Sequence, residues 1–277
     1  MPVDTAWVGL CLVSGVGGKT FRALMTAFGT PDAALSASDE DLYAVSGVGK
    51  VLSQSIRRVD LKRTAANLTR WEAKGVRALT LNDGDYPAPL KSLDDPPPLL
   101  FVRGQWPIAF SGALAVVGTR TPSRQAHLYA SAVAGQVAAQ GRAVVSGLAV
   151  GIDSAAHNGA LEADGVTVAV LGCGVLNVYP PEGRMLSERV SRSGALMCEV
   201  SPDSGVSTPG LIARNRLITG LSEGVMVVQS NTDGGAMHAA RFAIAQGRKL
   251  YTPADSLGDP AAAESWAELQ RMGAVVW

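Results

Sequence analysis

From Ala113 onward the chain repeats one pattern: an apolar run, a glycine at or near its end, then a stretch of helical character. The runs are Ala113–Val117, Ala143–Val145, Val166–Leu171, Gly194–Met197, Gly224–Val228 and Lys249–Thr252. A strand buried on both faces reads as unbroken apolar sequence, and parallel strands need a long crossover that a helix supplies. The pattern therefore predicts an α/β domain over 113–277, a parallel sheet with helices on both faces. A chain of 277 residues leaves room for one further small unit. With 47% hydrophobic and 17% charged residues it can bury a sizeable core, which excludes wholesale disorder.

Charge and cysteine usage narrow the function classes. The 24 basic and 24 acidic residues cancel, so an anionic partner must be held by a local patch. No apolar run approaches the length of a membrane span, and no secretion signal opens the chain. Cys11, Cys173 and Cys198 are odd in number and form no CxxC pair. This argues against a disulfide framework or a zinc site and predicts a reducing, cytoplasmic setting.

Residues 1–78 predict a small helical domain. Leu12-Val13-Ser14-Gly15-Val16-Gly17 recurs as Ala44-Val45-Ser46-Gly47-Val48-Gly49, and helical stretches follow at Thr20–Phe28 and Lys50–Val59. A Gly-apolar-Gly turn between helices is the helix-hairpin-helix pattern, which brings backbone amides close to a phosphate. Two tight turns that touch no nucleic acid account for it equally well. Gly18-Lys19-Thr20 resembles the end of a Walker A loop, but Val13 stands where its first glycine is needed, so an ATP site is rejected. Residues 79–112 hold Pro87, Pro89, Pro96, Pro97, Pro98 and Pro107, which predict an irregular connector and covering arm.

Ligands of an open parallel sheet bind beyond the carboxyl ends of the strands. There the sequence places Gly118, Thr119 and Arg120; Ser146 and Gly147, with Gly151 and Asp153; Gly172, Cys173 and Gly174, with Arg184 beyond; and Arg214, Asn215 and Arg216. Glycines admit close backbone approach, and guanidinium forks suit phosphate oxygens. No acid lies between Asp203 and Glu223, so Arg214 and Arg216 look uncompensated. Asp153 reads as a helix N-cap and His157 as a buried structural histidine. A Ser146/Asp153/His157 triad lacks a nucleophile elbow, and Cys173 reads as a small apolar filler. The pattern predicts a polyanion in a groove. No paired carboxylates, metal-ligand cluster or activated nucleophile accompany it, so neither an enzyme nor a cofactor is predicted. Met237, Ala240 and Ile244 recur at helical spacing after Gly234-Gly235, an apolar stripe on a predicted helix Ala236–Gln246.

Taken together, these residues resemble the DNA-processing protein A (DprA, or Smf) family. The resemblance runs from Tyr86-Pro87 to Gly273-Ala274. It is densest at Ser146–Asp153 with Ala156-His157, at Val170–Gly174 with Tyr179-Pro180, at Arg214–Ile218 with Gly220–Ser222, and at Ala240–Ala243 with Gln246–Arg248. It implies an extended Rossmann-like domain without catalysis, preceded by a small SAM-like helical domain. Implied partners are single-stranded DNA, the RecA recombinase during natural transformation, and a single-strand-binding protein. The family's pocket residues fall on Arg120 and on Arg214, Asn215 and Arg216, with Arg184 in the segment lining the pocket. The resemblance also implies a homodimer through the late part of the domain, here the Met237, Ala240, Ile244 stripe. Departures from the family pattern are Thr119, Gln125-Ala126, Asn177, Gly183, Cys198, Gln229, Gly234-Gly235 and Ala239. A C-terminal winged-helix module that many members carry is expected to be absent or removed here. The competing reading is a nucleotide-binding enzyme of the phosphoribohydrolase type or a nucleotide sensor. The enzyme needs a carboxylate soon after Gly234-Gly235, and the next acid is Asp255.

Overall fold

A computed structural model describes residues 3–277. The chain opens with six helices: α1 (Thr5–Cys11), α2 (Gly18–Phe28), α3 (Pro31–Ser36), α4 (Asp39–Tyr43), α5 (Lys50–Arg57) and α6 (Leu61–Glu72). Their boundaries are written in the sequence. Asp4, Thr30, Ser38 and Asp60 each cap a helix start with a side-chain oxygen. The two turns of the repeat each pass through a left-handed glycine, Gly15 at φ +96° and Gly47 at φ +84°, where any side chain would be strained. Leu10, Val16, Phe21, Leu24, Leu42, Val48 and Ile56 close the first five helices around a core of their own, while Trp71 of α6 packs with Val76 and Phe101.

The rest of the chain builds one nine-stranded sheet in the order β1-β2-β6-β5-β4-β3-β7-β8-β9. The elements follow as β1 (Val76–Thr80), α7 (Ala88–Lys91), β2 (Leu99–Gly104), β3 (Leu114–Val117), α8 (Arg124–Ala139), β4 (Val144–Ser146), α9 (Ile152–Glu162) and β5 (Thr167–Val170). Then come α10 (Arg184–Ser193), β6 (Ala195–Cys198), α11 (Thr208–Ala213), α12 (Asn215–Gly220), β7 (Gly224–Val227), α13 (Gly235–Ala245), β8 (Lys249–Thr252), α14 (Ala263–Arg271) and β9 (Val275–Val276). Pairing is parallel from β6 through β9, while β1 and β2 run antiparallel to their neighbours. Each of the six apolar runs is a strand, and helices cover both faces. On one face α8 and α9 pack through alanines such as Ala130, Ala134, Ala156 and Ala160. The helices come so close that a methyl group on Gly159 would overlap the Ser131 carbonyl. No helix among the described residues is long and apolar enough to cross a membrane.

The proline-rich segment corrects an expectation. Within 79–112, read as an irregular connector, Leu99–Gly104 forms β2, pairs with β6 and extends the sheet. The prolines Pro96–Pro98 stop just before the strand, so none removes a donor from its ladder. Phe101 and Leu100 are fully buried there, each contributing about 2 kcal/mol of apolar burial. The segment before β2 does act as an arm. Trp7 Nε1 donates to the Pro98 carbonyl at 2.9 Å and Tyr86 Oη to the Pro97 carbonyl at 2.7 Å. Asp95 and the Pro96 carbonyl press on Gly18, where no side chain fits. The arm therefore covers the first helical hairpin, while Gly49 of the second has nothing within 4 Å of where a Cβ would sit.

Candidate nucleic-acid cleft

The parallel strand order reverses between β3 and β7, since β4, β5 and β6 lie to one side of β3 and β7, β8 and β9 to the other. The loops leaving neighbouring strands in opposite directions open a crevice at such a point. A cleft of about 430 Å³ lies there, lined by Gly118, Thr119 and Arg120 after β3, Ala149 and Asp153 after β4, and Arg214 and Asn215 where α11 passes into α12. Ser230, Asn231, Asp233, Gly234, Gly235 and His238 supply the wall after β7.

Backbone bonds fix these walls to one another. Thr119 N–H donates to the Gln229 carbonyl at 2.7 Å, and Ile152 N–H to the Thr119 carbonyl at 3.2 Å. Gly118 is required by space: a Cβ would meet the Gln229 carbonyl oxygen at 2.8 Å. Two helices begin at the cleft, α9 behind Gly151 and α13 behind Gly234, and neither has a side-chain cap. At α9 the first amides are taken, Ile152 by the Thr119 carbonyl and Ser154 by the Ala149 carbonyl, whereas at α13 those of Gly235 and Ala236 have no partner among the described residues, and the positive end of that helix dipole favours anions. Arg120 is exposed at the rim and has no side-chain hydrogen bond or ion pair among the described residues.

The other predicted arginines are placed differently. Arg214 is 8% exposed and lies beneath the cleft floor. Its guanidinium donates to the Val170 carbonyl at 2.7 Å and the Leu211 carbonyl at 3.3 Å, and lies 3.8 Å from the Asp153 carboxylate. A methyl group on Gly147 would overlap that guanidinium, so Gly147 serves Arg214 rather than a ligand. Burial pushes the Asp153 carboxyl above its ordinary range, and Arg214 with the amides of Ala149 and Gly147 pulls it back. Arg216 lies outside the cleft. It pairs with Glu199 and donates to the Asp95 carbonyl at 3.0 Å, tying the arm to the end of β6. The acids missing from the local sequence are supplied in space by Asp153 and Glu199. Arg184 is exposed in a separate depression. The four arginines expected at one edge thus do not gather in one groove.

The remaining expectations sort in the same way. Asn215 Nδ2 donates to the Gly235 carbonyl at 3.3 Å and lines the cleft. Ser146 is fully buried and donates to the Val116 carbonyl at 2.6 Å, latching β4 to β3. Gly172 gives room for α11, whose Leu211 Cα would lie 2.7 Å from a Cβ there. Asp153, read as an N-cap, is instead the second residue of α9, and its carboxylate turns back to accept from Gly147 and Ala149. His157 is fully buried with Nδ1 2.7 Å from Thr167 Oγ1, and burial together with Arg214 pushes its pKa down to about 3. Ser146, Asp153 and His157 each bond elsewhere and form no relay. Cys173 is buried, its thiol pushed up by desolvation. Met237 and Ala240 are also fully buried within their own chain's core, so the predicted dimer stripe is an internal packing face from which only Ile244 emerges, 46% exposed. Among the described residues no group of His, Cys, Asp and Glu is arranged to hold a metal ion. Strand-end reasoning missed Ser230, Asn231 and His238 after β7 and Thr208, Leu211 and Ile212 of α11; for the first group the sequence signal was the Gly234-Gly235 helix start.

Comparison with known proteins now decides the family. The family described as DNA recombination-mediator protein A matches residues 77–276, and a SAM-like helix-hairpin-helix tandem matches residues 9–62. The chain belongs to the DNA recombination-mediator protein A family. Among its relatives, the DNA processing protein DprA of Bacillus subtilis is 32% identical over 211 residues, covering 76% of this chain and 71% of the relative. Protein Smf of Synechocystis is 31% identical over 251 residues, covering 89% and 63%. The chain thus spans roughly two thirds of the length of these relatives. The crystal structure of DprA from Streptococcus pneumoniae superposes with a TM-score of 0.83 at 24% identity, covering 100% of this chain and 95% of that one, and shares the fold. A Helicobacter pylori DprA, described for its single-stranded DNA binding mode, superposes with a TM-score of 0.64 at 25% identity, covering 72% and 90%.

Proposed function

We propose that the cleft binds the phosphate backbone of single-stranded DNA, and that through it this family member protects incoming strands and helps load the RecA recombinase during natural transformation. The observation that carries the reading is the meeting of an unpaired Arg120 with the open N-terminus of α13 at the switch point of the sheet. Arg214 is neutralised beneath the floor by Asp153, so Arg120 is the guanidinium the cleft leaves for a ligand. The family membership and the single-strand binding mode of the Helicobacter pylori relative favour the same ligand. The protein acts without catalysis, in a reducing cytoplasm consistent with its free cysteines. It works as a homodimer, with a single-strand-binding protein as a further partner. Because Met237 and Ala240 serve the core, the dimer contact uses Ile244 and neighbouring exposed residues.

The test compares single-stranded, duplex and mononucleotide ligands across a salt series. Phosphate contacts release counterions, so single-strand affinity should fall steeply with salt. Mononucleotide binding as tight as that of an oligonucleotide would favour the sensor reading instead. Equal affinity for duplex would remove the single-strand assignment.

A further inference from the structure

Arg184 stands in a second depression, of about 390 Å³, whose charged walls come from three separate parts of the chain. Lys74 lies just beyond α6, Arg103 on β2, and Arg184 and Glu188 on α10. Arg103 and Glu188 bond bidentately at 2.9 and 3.1 Å and cancel each other. Lys74 and Arg184 have no side-chain hydrogen bond or ion pair among the described residues. The acid whose charge Lys74 feels is Asp203, and that carboxylate is already held by Arg70 at 2.6 Å and by Trp71 Nε1 at 2.6 Å. A chain with no net charge therefore keeps two uncompensated cations around one hollow.

The hollow is a neighbour of the cleft. Ala149 lines the cleft, and Leu148 beside it lies 3.6 Å from where a Cβ on Gly183 would sit, next to Arg184. Leu148 is fully buried and held at φ +61°, so this dividing wall is fixed by packing. Cleft and hollow therefore sit on either side of Leu148, with Arg184 and Lys74 lining the second.

We propose that Lys74 and Arg184 form a second phosphate site, which takes the backbone of the same single strand after it leaves the cleft. The proposal rests on the single-strand reading of the cleft. It gives the N-terminal region a DNA contact through the end of α6, whereas the sequence pointed to the helical hairpins. Phosphodiester oxygens are the chemistry recognised, and a free phosphate ion offers the same oxygens.

The experiment measures affinity of the full chain for oligothymidylates, one short enough to fill the cleft alone and one long enough to pass beyond it. Each loss of a single-strand phosphate contact lowers the salt slope by about 0.7, which is roughly a fivefold loss at 0.1 M salt extrapolated from 1 M. Lys74→Gln and Arg184→Gln should each show that loss with the long strand and lower the long-to-short affinity ratio. Equal losses on both strands, or an unchanged slope, would overturn the proposal. So would a free-phosphate pocket, seen as thermal stabilisation by millimolar inorganic phosphate that the double variant loses while long-strand affinity stays constant. Arg120→Gln separates the two readings. If it leaves short-strand binding intact, the cleft reading fails. If it weakens short-strand binding while the Lys74 and Arg184 variants are silent, only the second site fails.

Discussion

Arg120 and the Arg214–Arg216 segment look alike in sequence, each an arginine after an apolar run in a chain of balanced charge. In the fold they are opposites. Arg120 stands exposed in the loop after β3 with no partner among the described residues. Arg214 and Arg216 have been drawn into the protein, one by Asp153 and backbone carbonyls, the other by Glu199 and the arm. The difference teaches that local charge balance is a poor guide to which cation is free. A guanidinium carries five donors, and a protein that buries it must supply acceptors from wherever the fold provides them. Arg214 holds the floor of the cleft, Arg216 holds the arm, and Arg120 is what the cleft offers to a ligand.

Variants that exchange these roles should break the comparison in a set order. Arg214→Ala has the largest expected effect, because it leaves Asp153 buried without its cation: about 3–5 kcal/mol of stability, read by chemical denaturation. Arg216→Ala frees the arm from Glu199 in a less buried setting and should cost about 2 kcal/mol. An undiminished midpoint for either variant would return that arginine to the free class.

Acid should unfold the site from within, through His157. Its folded pKa of about 3 lies below the ordinary 6.5, so the unfolded chain takes up the proton first. The stability that neutral His157 contributes is present well above 6.5 and is lost as pH falls through 6.5 toward 3, by about 1 kcal/mol over the first unit below 6.5. The raised carboxyls of Asp153 and Glu199 act with the opposite sign, so the readout is the difference between the native protein and His157→Gln. Parallel pH-stability curves for the two proteins would contradict the assignment. At the small end, Arg120→Gln should change stability by less than about 0.5 kcal/mol, since it touches no buried group.

The sheet was legible because strands buried on both faces have no choice but continuous apolar sequence, as in Val166–Leu171. β2 was not, because three prolines in a row drowned the signal of Leu99–Val102 immediately after them. β1 and the two-residue β9 carry too little pattern to be read at all. At the site, glycines were legible as close approaches, but their beneficiaries were not. Gly147 looked like a ligand contact and is room for Arg214, and Gly18 looked like a nucleotide loop and is room for the arm. The stripe of Met237 and Ala240 could not be assigned from periodicity, since an internal face and an interface share the same spacing.

The central claim is that a free Arg120 and a buried Arg214 divide binding from support. Its most direct measurement is the salt dependence of single-strand affinity for Arg120→Gln beside Arg216→Gln, each confirmed folded. The account predicts that Arg120→Gln lowers the slope by about 0.7 and weakens binding to all sequences alike, while Arg216→Gln leaves the slope unchanged. An unchanged slope for Arg120→Gln, or a loss of slope confined to Arg216→Gln, would contradict it.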